Sequence, residues 1–133
     1  MRWALWMVAA ALAAWSQGPA SAEPARVAVD VEMVEFAFRP RTVVLRAGVP
    51  MRIVLRNRGQ IAHQLEADYL RGVGVEIAGE GLYVDAPGLG VVRLNPGGAA
   101  RLDFLPRRRG RFSFACTIEG HREAGMTGVL EVR

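Results

Sequence analysis

From residue 27 onward the chain is written in short runs of alternating apolar and polar residues. Val27, Val29, Val31 and Met33 are separated by Ala28, Asp30 and Glu32, the period of two that half-buries a β-strand. Met51, Ile53 and Leu55 alternate with Arg52, Val54 and Arg56. Ala100, Leu102 and Phe104 alternate with Arg101 and Asp103, and Phe112 and Phe114 with Arg111 and Ser113. Residues 42–46 are short and β-branched, and residues 129–132 close the chain as a last strand. Turn signals fall between these runs: Arg39-Pro40, Ala47-Gly48, Asn57-Arg58-Gly59, Asn95-Pro96-Gly97-Gly98 and Arg109-Gly110. No window carries a helical period over three turns. Residues 69–92 hold six glycines among short apolar pairs and read as one or two short strands with long loops. The pattern predicts an all-β fold of about seven to eight strands, an antiparallel sandwich or barrel.

The N-terminal segment follows a different rule. A basic start at Arg2, an apolar run from Trp3 to Trp15 and the sequence Ala20-Ser21-Ala22 are the marks of an export signal. The run is short for a bilayer span, which takes about 20 residues. The expected organisation is a signal peptide at 1–22 and one domain at 23–133, with an uncleaved anchor as the alternative. The mature chain is expected to be exported, periplasmic or otherwise outside the cytoplasm, without a membrane span, and monomeric. The formal net charge is +4, of which Arg2 supplies one, and thirteen acidic residues are interleaved with the arginines. Charge alone therefore does not mark a nucleic-acid surface. The run Arg107-Arg108-Arg109 with Arg111 reads as a solvated turn in preference to a docking patch.

One cysteine and two histidines change the picture. An exported protein meets an oxidising compartment, where a single thiol has no internal partner. Alone, Cys116 would be read as an inert buried thiol. It is followed by His121 and Met126 in the stretch Cys-Thr-Ile-Glu-Gly-His-Arg-Glu-Ala-Gly-Met. A thiolate, an imidazole and a thioether thus leave one loop directly after a strand. The other histidine, His63, lies after the turn that follows the strand ending near Arg56. Two imidazoles and a thiolate in a plane, with a weak axial thioether, are the ligand set of a blue copper site. Gly120 and Gly125 give the loop the freedom to bring its donors to one point.

At these residues the chain resembles the cupredoxins. Phe36-Ala37-Phe38-Arg39-Pro40, then Ala47-Gly48, then Asn57 leading to His63, resemble the first half of that family, and the Cys116–His121–Met126 loop resembles its end. The loop length is closer to the longer-loop members, such as rusticyanin and auracyanin, than to plastocyanin. The resemblance implies a Greek-key β-sandwich and one copper ion held by His63, Cys116, His121 and Met126. It implies a carrier of single electrons, not an enzyme, serving a donor and an acceptor such as a cytochrome or a terminal oxidase. A copper-delivery protein, or a copper domain serving a larger oxidase or reductase, is the alternative. Ala62, Ile118, Ala124 and Gly125 are the expected rim around the exposed edge of His121. Two departures stand out: Glu119 where similar loops carry Pro, a carboxylate expected to favour Cu(II), and Gln64 where relatives place a small polar residue near the cysteine sulfur.

Overall fold

The structure, a computed structural model, describes residues 25–79, 82–87 and 89–133. The expected export signal lies outside the described residues. Eleven strands form two sheets among the described residues. In chain order they are β1 (Val27–Val34), β2 (Ala37–Arg39), β3 (Thr42–Leu45), β4 (Met51–Asn57), β5 (His63–Glu66), β6 (Gly74–Gly79), β7 (Leu82–Pro87), β8 (Val91–Leu94), β9 (Ala99–Phe104), β10 (Gly110–Ala115) and β11 (Thr127–Val132). A single helical turn, α1 (Asp68–Arg71), follows β5. One sheet runs β2-β1-β4-β9-β6-β7 and the other β3-β11-β10-β5-β8. β1 pairs with β4 and β3 with β11 in parallel, and the remaining pairs are antiparallel. The chain passes repeatedly from one sheet to the other, so its connections collect at the two ends of a Greek-key sandwich.

The alternation in the sequence decides which residues face inward. Met51, Ile53, Leu55 and Asn57 of β4 are buried, as are Ala100, Leu102 and Phe104 of β9 and Leu130 and Val132 of β11. Their neighbours one residue away face outward, because successive side chains on a strand point to opposite faces. Phe38 of β2 and Phe114 of β10 meet edge to face with ring centroids 4.9 Å apart, joining the two sheets through the core.

The strand count is higher than the pattern predicted: β2 and β5 had no strand signal of their own, and residues 69–92 reach one strand further than expected, into β8. That stretch holds α1, β6, β7 and the start of β8. Its glycines hide the alternation, and the strands are set by pairing: β6 along β9 from Val75↔Phe104 to Gly79↔Ala100, β7 along β6, and β8 along β5 in the other sheet. Phe112 is only partly buried, unlike Phe114. Arg108 lies over its ring at 4.5 Å, so this member of the arginine run covers an aromatic surface while the run as a whole is exposed. Arg111, the member of the run nearest Cys116, lies five residues before it along β10, roughly 17 Å at about 3.3 Å per residue.

Candidate metal centre

Two connections, β4 to β5 and β10 to β11, bring the chemistry together. His63 opens β5, which lies between β10 and β8. Cys116 directly follows β10. The loop from Cys116 to Met126 turns back through Gly120 and Gly125, whose φ values of +79° and +96° an L side chain rarely adopts. Cys116 N–H donates to the Met126 carbonyl and Met126 N–H to the His121 carbonyl, both at 3.0 Å, so the loop is closed by its own backbone.

The ligating atoms of His63, Cys116 and His121 all lie within 4.8 Å of one another. His63 Nδ1 is 3.2 Å from His121 Nδ1, and Cys116 Sγ is 3.3 Å from the same nitrogen. His63, Cys116 and Met126 are fully buried and His121 is 7 % exposed. Buried polar atoms carry a desolvation cost unless they find partners. Two imidazole nitrogens and a sulfur converging away from water are such a group, and a cation at their centre would partner all three. Soft sulfur with imidazole is the donor chemistry that suits copper in both oxidation states, so the residues fit one copper ion. Burial pushes the His63 imidazole toward its neutral form, with His121 acting in the same direction, and a neutral ring is the form that ligates.

Around the donors, several groups hold them in place. Asn57, which the turn signals left as a loop residue, is buried. Its side-chain amide donates to the carbonyls of Ile61 and Leu94 at 2.8 and 2.9 Å and accepts from Gly59 N–H. It therefore fixes the connection that delivers His63. The signal was present: residue 57 continues the inward phase of Met51, Ile53 and Leu55, and a polar residue at a core position needs partners. Gln64 N–H points at Cys116 Sγ at 3.4 Å. The Gln64 side chain instead donates to Thr117 Oγ1, which donates to Glu66. The backbone thus makes the contact to sulfur that the sequence sought in the side chain. Glu119 is exposed, and the carboxylate that approaches a ligand is Glu35, 3.8 Å from His63 Nε2.

The exposed edge of His121 meets Phe36 edge to face at 5.3 Å. Phe36 has φ +57°, unusual for a bulky residue, and is 44 % exposed, as Ile61 is at 43 %. Both are apolar loop residues, in addition to the rim expected from sequence. Of that rim, Ala62 and Ile118 are half-buried and Ala124 and Gly125 exposed.

A family model described as a cupredoxin-like domain matches residues 4–130. The chain belongs to this cupredoxin family. It is 32 % identical over 122 residues to the copper-resistant cuproprotein CopI of Rubrivivax gelatinosus, covering 86 % of this chain and 72 % of the relative. It is 26 % identical over 146 residues to the protein of the same name from Pseudomonas aeruginosa, covering 86 % and 81 %. Among solved structures, auracyanin B superposes with a TM-score of 0.59 at 23 % identity over 80 % of this chain and 88 % of that one. A multicopper oxidase superposes with a TM-score of 0.66 at 16 % identity over 84 % of this chain and 45 % of that one. At those identities the two structures bear on the fold alone. No helix among the described residues is long and apolar enough to cross a membrane.

Proposed function

We propose that this cupredoxin holds one copper ion on His63, Cys116, His121 and Met126 and passes single electrons between two larger redox proteins outside the cytoplasm. The observation that carries this reading is the closure of the donor set: three donors fully buried and the fourth 7 % exposed. A bound copper supplies a one-electron couple and no more. The chain's own part is to keep the donors still. The backbone bonds between Cys116 and Met126 and between Met126 and His121 fix the loop, and Asn57 fixes the connection to His63. A site that scarcely moves when its charge changes exchanges electrons with little reorganisation. Four donors from the chain leave no open position for a substrate, which supports a carrier in preference to an enzyme. The exposed apolar side chain of Phe36 against His121 supports brief, salt-tolerant contact with a donor or acceptor such as a cytochrome or terminal oxidase. The export signal expected at 1–22 supports a periplasmic or otherwise extracytoplasmic location.

The likeness to copper-resistant cuproproteins favours a second reading, in which the protein binds or delivers copper. The two readings part on exchange. A carrier keeps its metal: the copper-loaded protein, challenged with a strong Cu(I) chelator under reducing conditions, should retain copper for hours while exchanging electrons rapidly with a small redox dye. Loss within minutes and slow electron exchange would favour delivery. The oxidised protein should show an intense visible band from thiolate-to-Cu(II) charge transfer, absent in Cys116→Ser. A wild-type protein that stays colourless with Cu(II) would overturn the electron-carrier reading.

A further inference from the structure

His63 presents two nitrogens to two different surroundings. Nδ1 faces His121 at 3.2 Å, and Nε2 points away into the protein, where it is buried and has no hydrogen-bond partner among the described residues. A buried ring nitrogen without a partner is uncommon. The group in front of it is the carboxylate of Glu35, with Oε1 3.8 Å away. Glu35 sits in the two-residue turn between β1 and β2, since Val34 pairs with Ala37. Its carboxylate is held toward the site because Gln60 N–H donates to the same oxygen.

Gly59 makes this approach possible. A Cβ at Gly59 would lie 2.5 Å from Glu35 Oε1 and 2.8 Å from His63 Nε2, distances at which one of the two must move. The turn after β4 therefore has no side chain at the point where carboxylate and imidazole face each other.

We propose that Glu35 is a positioning residue of the metal centre: when the site is loaded its carboxylate closes the 3.8 Å gap to Nε2 of His63 and takes the proton there as a hydrogen bond, which fixes the tautomer that turns the Nδ1 lone pair to the metal and sets a negative charge behind that ligand. The inference rests on the copper reading above. A carboxylate behind a ligating imidazole raises the basicity of the ring and favours the more highly charged metal. Such groups typically change metal affinity about 10–100-fold. Glu35 is 42 % exposed, so water screens its charge and the lower end, about tenfold, applies here.

Glu35→Gln keeps the size and removes the charge. Cyclic voltammetry of the copper-loaded variant should show the potential raised by the equivalent of about a tenfold loss in relative affinity for Cu(II), or about 59 mV. Titration with Co(II), which needs no redox change, should show about tenfold weaker binding. In nitrogen-15 NMR of the Zn(II)-loaded wild type, His63 should carry its proton on Nε2. Gly59→Ala should shift the potential in the same direction by displacing the carboxylate, and the double variant should add little to either single change. A wild-type protein that binds no copper would overturn the copper reading and this one with it. A wild type that binds copper normally, with potential and Co(II) affinity unmoved in Glu35→Gln, would overturn this one alone. So would fully additive effects of the two substitutions.

Discussion

Met126 is fully buried at the end of the loop, and its backbone is tied to both Cys116 and His121. Leu in its place keeps nearly the same volume, so packing should change little. What is lost is a weak axial donor, and hydrocarbon replaces it. Both changes disfavour the more charged oxidised ion. Met126→Leu should keep the copper and its colour and raise the reduction potential by tens of millivolts, on a scale where about 59 mV is a tenfold change in relative affinity. Voltammetry beside the wild type reads this. An unchanged potential would make Met126 a core residue and turn attention to the Ala62 carbonyl. That His63, Cys116 and His121 belong together was legible from their types and spacing, because the chain offers only two histidines and one cysteine, and the structure brings their ligating atoms within 4.8 Å. Glu35 was not: it stands 28 positions before His63 in the sequence, and only the turn between β1 and β2 carries it to that ring.

Strands β10 and β11 show how one element constrains another. Phe114 pairs with Gly128 across the ladder, and a Cβ at Gly128 would meet the Phe114 ring and lie 2.7 Å from the Arg41 carbonyl. The ring has no room to retreat, since Phe38 lies against it at 4.9 Å. Gly128→Ala should therefore destabilise the protein by about 1–3 kcal/mol, the cost of overpacking a core, despite the better strand propensity of Ala. Chemical denaturation of the metal-free protein measures it without interference from copper. Across β4 and β9, Arg52 and Asp103 stand opposite each other and form a bidentate pair at 2.7 and 2.6 Å. Hydrogen bonding from Arg52 holds the Asp103 carboxyl below its ordinary range, against the opposing effect of burial. The folded form thus binds its proton less readily than the unfolded chain. The stabilisation is present at neutral pH and is lost as pH falls below about 4, through the depressed folded value. Asp103→Asn should lower stability at pH 7 by about 1–3 kcal/mol and flatten its decline in acid. Unfolding free energies measured from pH 7 to 3 for both proteins test this. Equal slopes would remove Asp103 from the acid response.

For the molecule as a whole, the core does not need the metal. Phe38, Val43, Leu55, Leu102, Phe114 and Leu130 are buried between the sheets independently of the donors, at about 1.5–3 kcal/mol for each large side chain. The metal-free protein should fold, with a β-rich circular dichroism spectrum, and saturating copper should raise the melting temperature by mass action, since the assembled donors exist only in the native state. An unfolded metal-free chain would contradict a preformed site. The sequence by itself determined the strands with strong alternation, the inward residues on them and the candidate donors at His63, Cys116 and His121, because period and residue type are local properties. It did not determine the layout of the strands in residues 69–92, whose glycines carry no alternation and where β6 forms along β9 and β7 along β6. Nor did it determine the buried role of Asn57, the wall that Phe36 makes against His121, or the approach of Glu35 to His63. Those depend on which connections share one end of the sandwich, and that is decided only when the two sheets close on their common core.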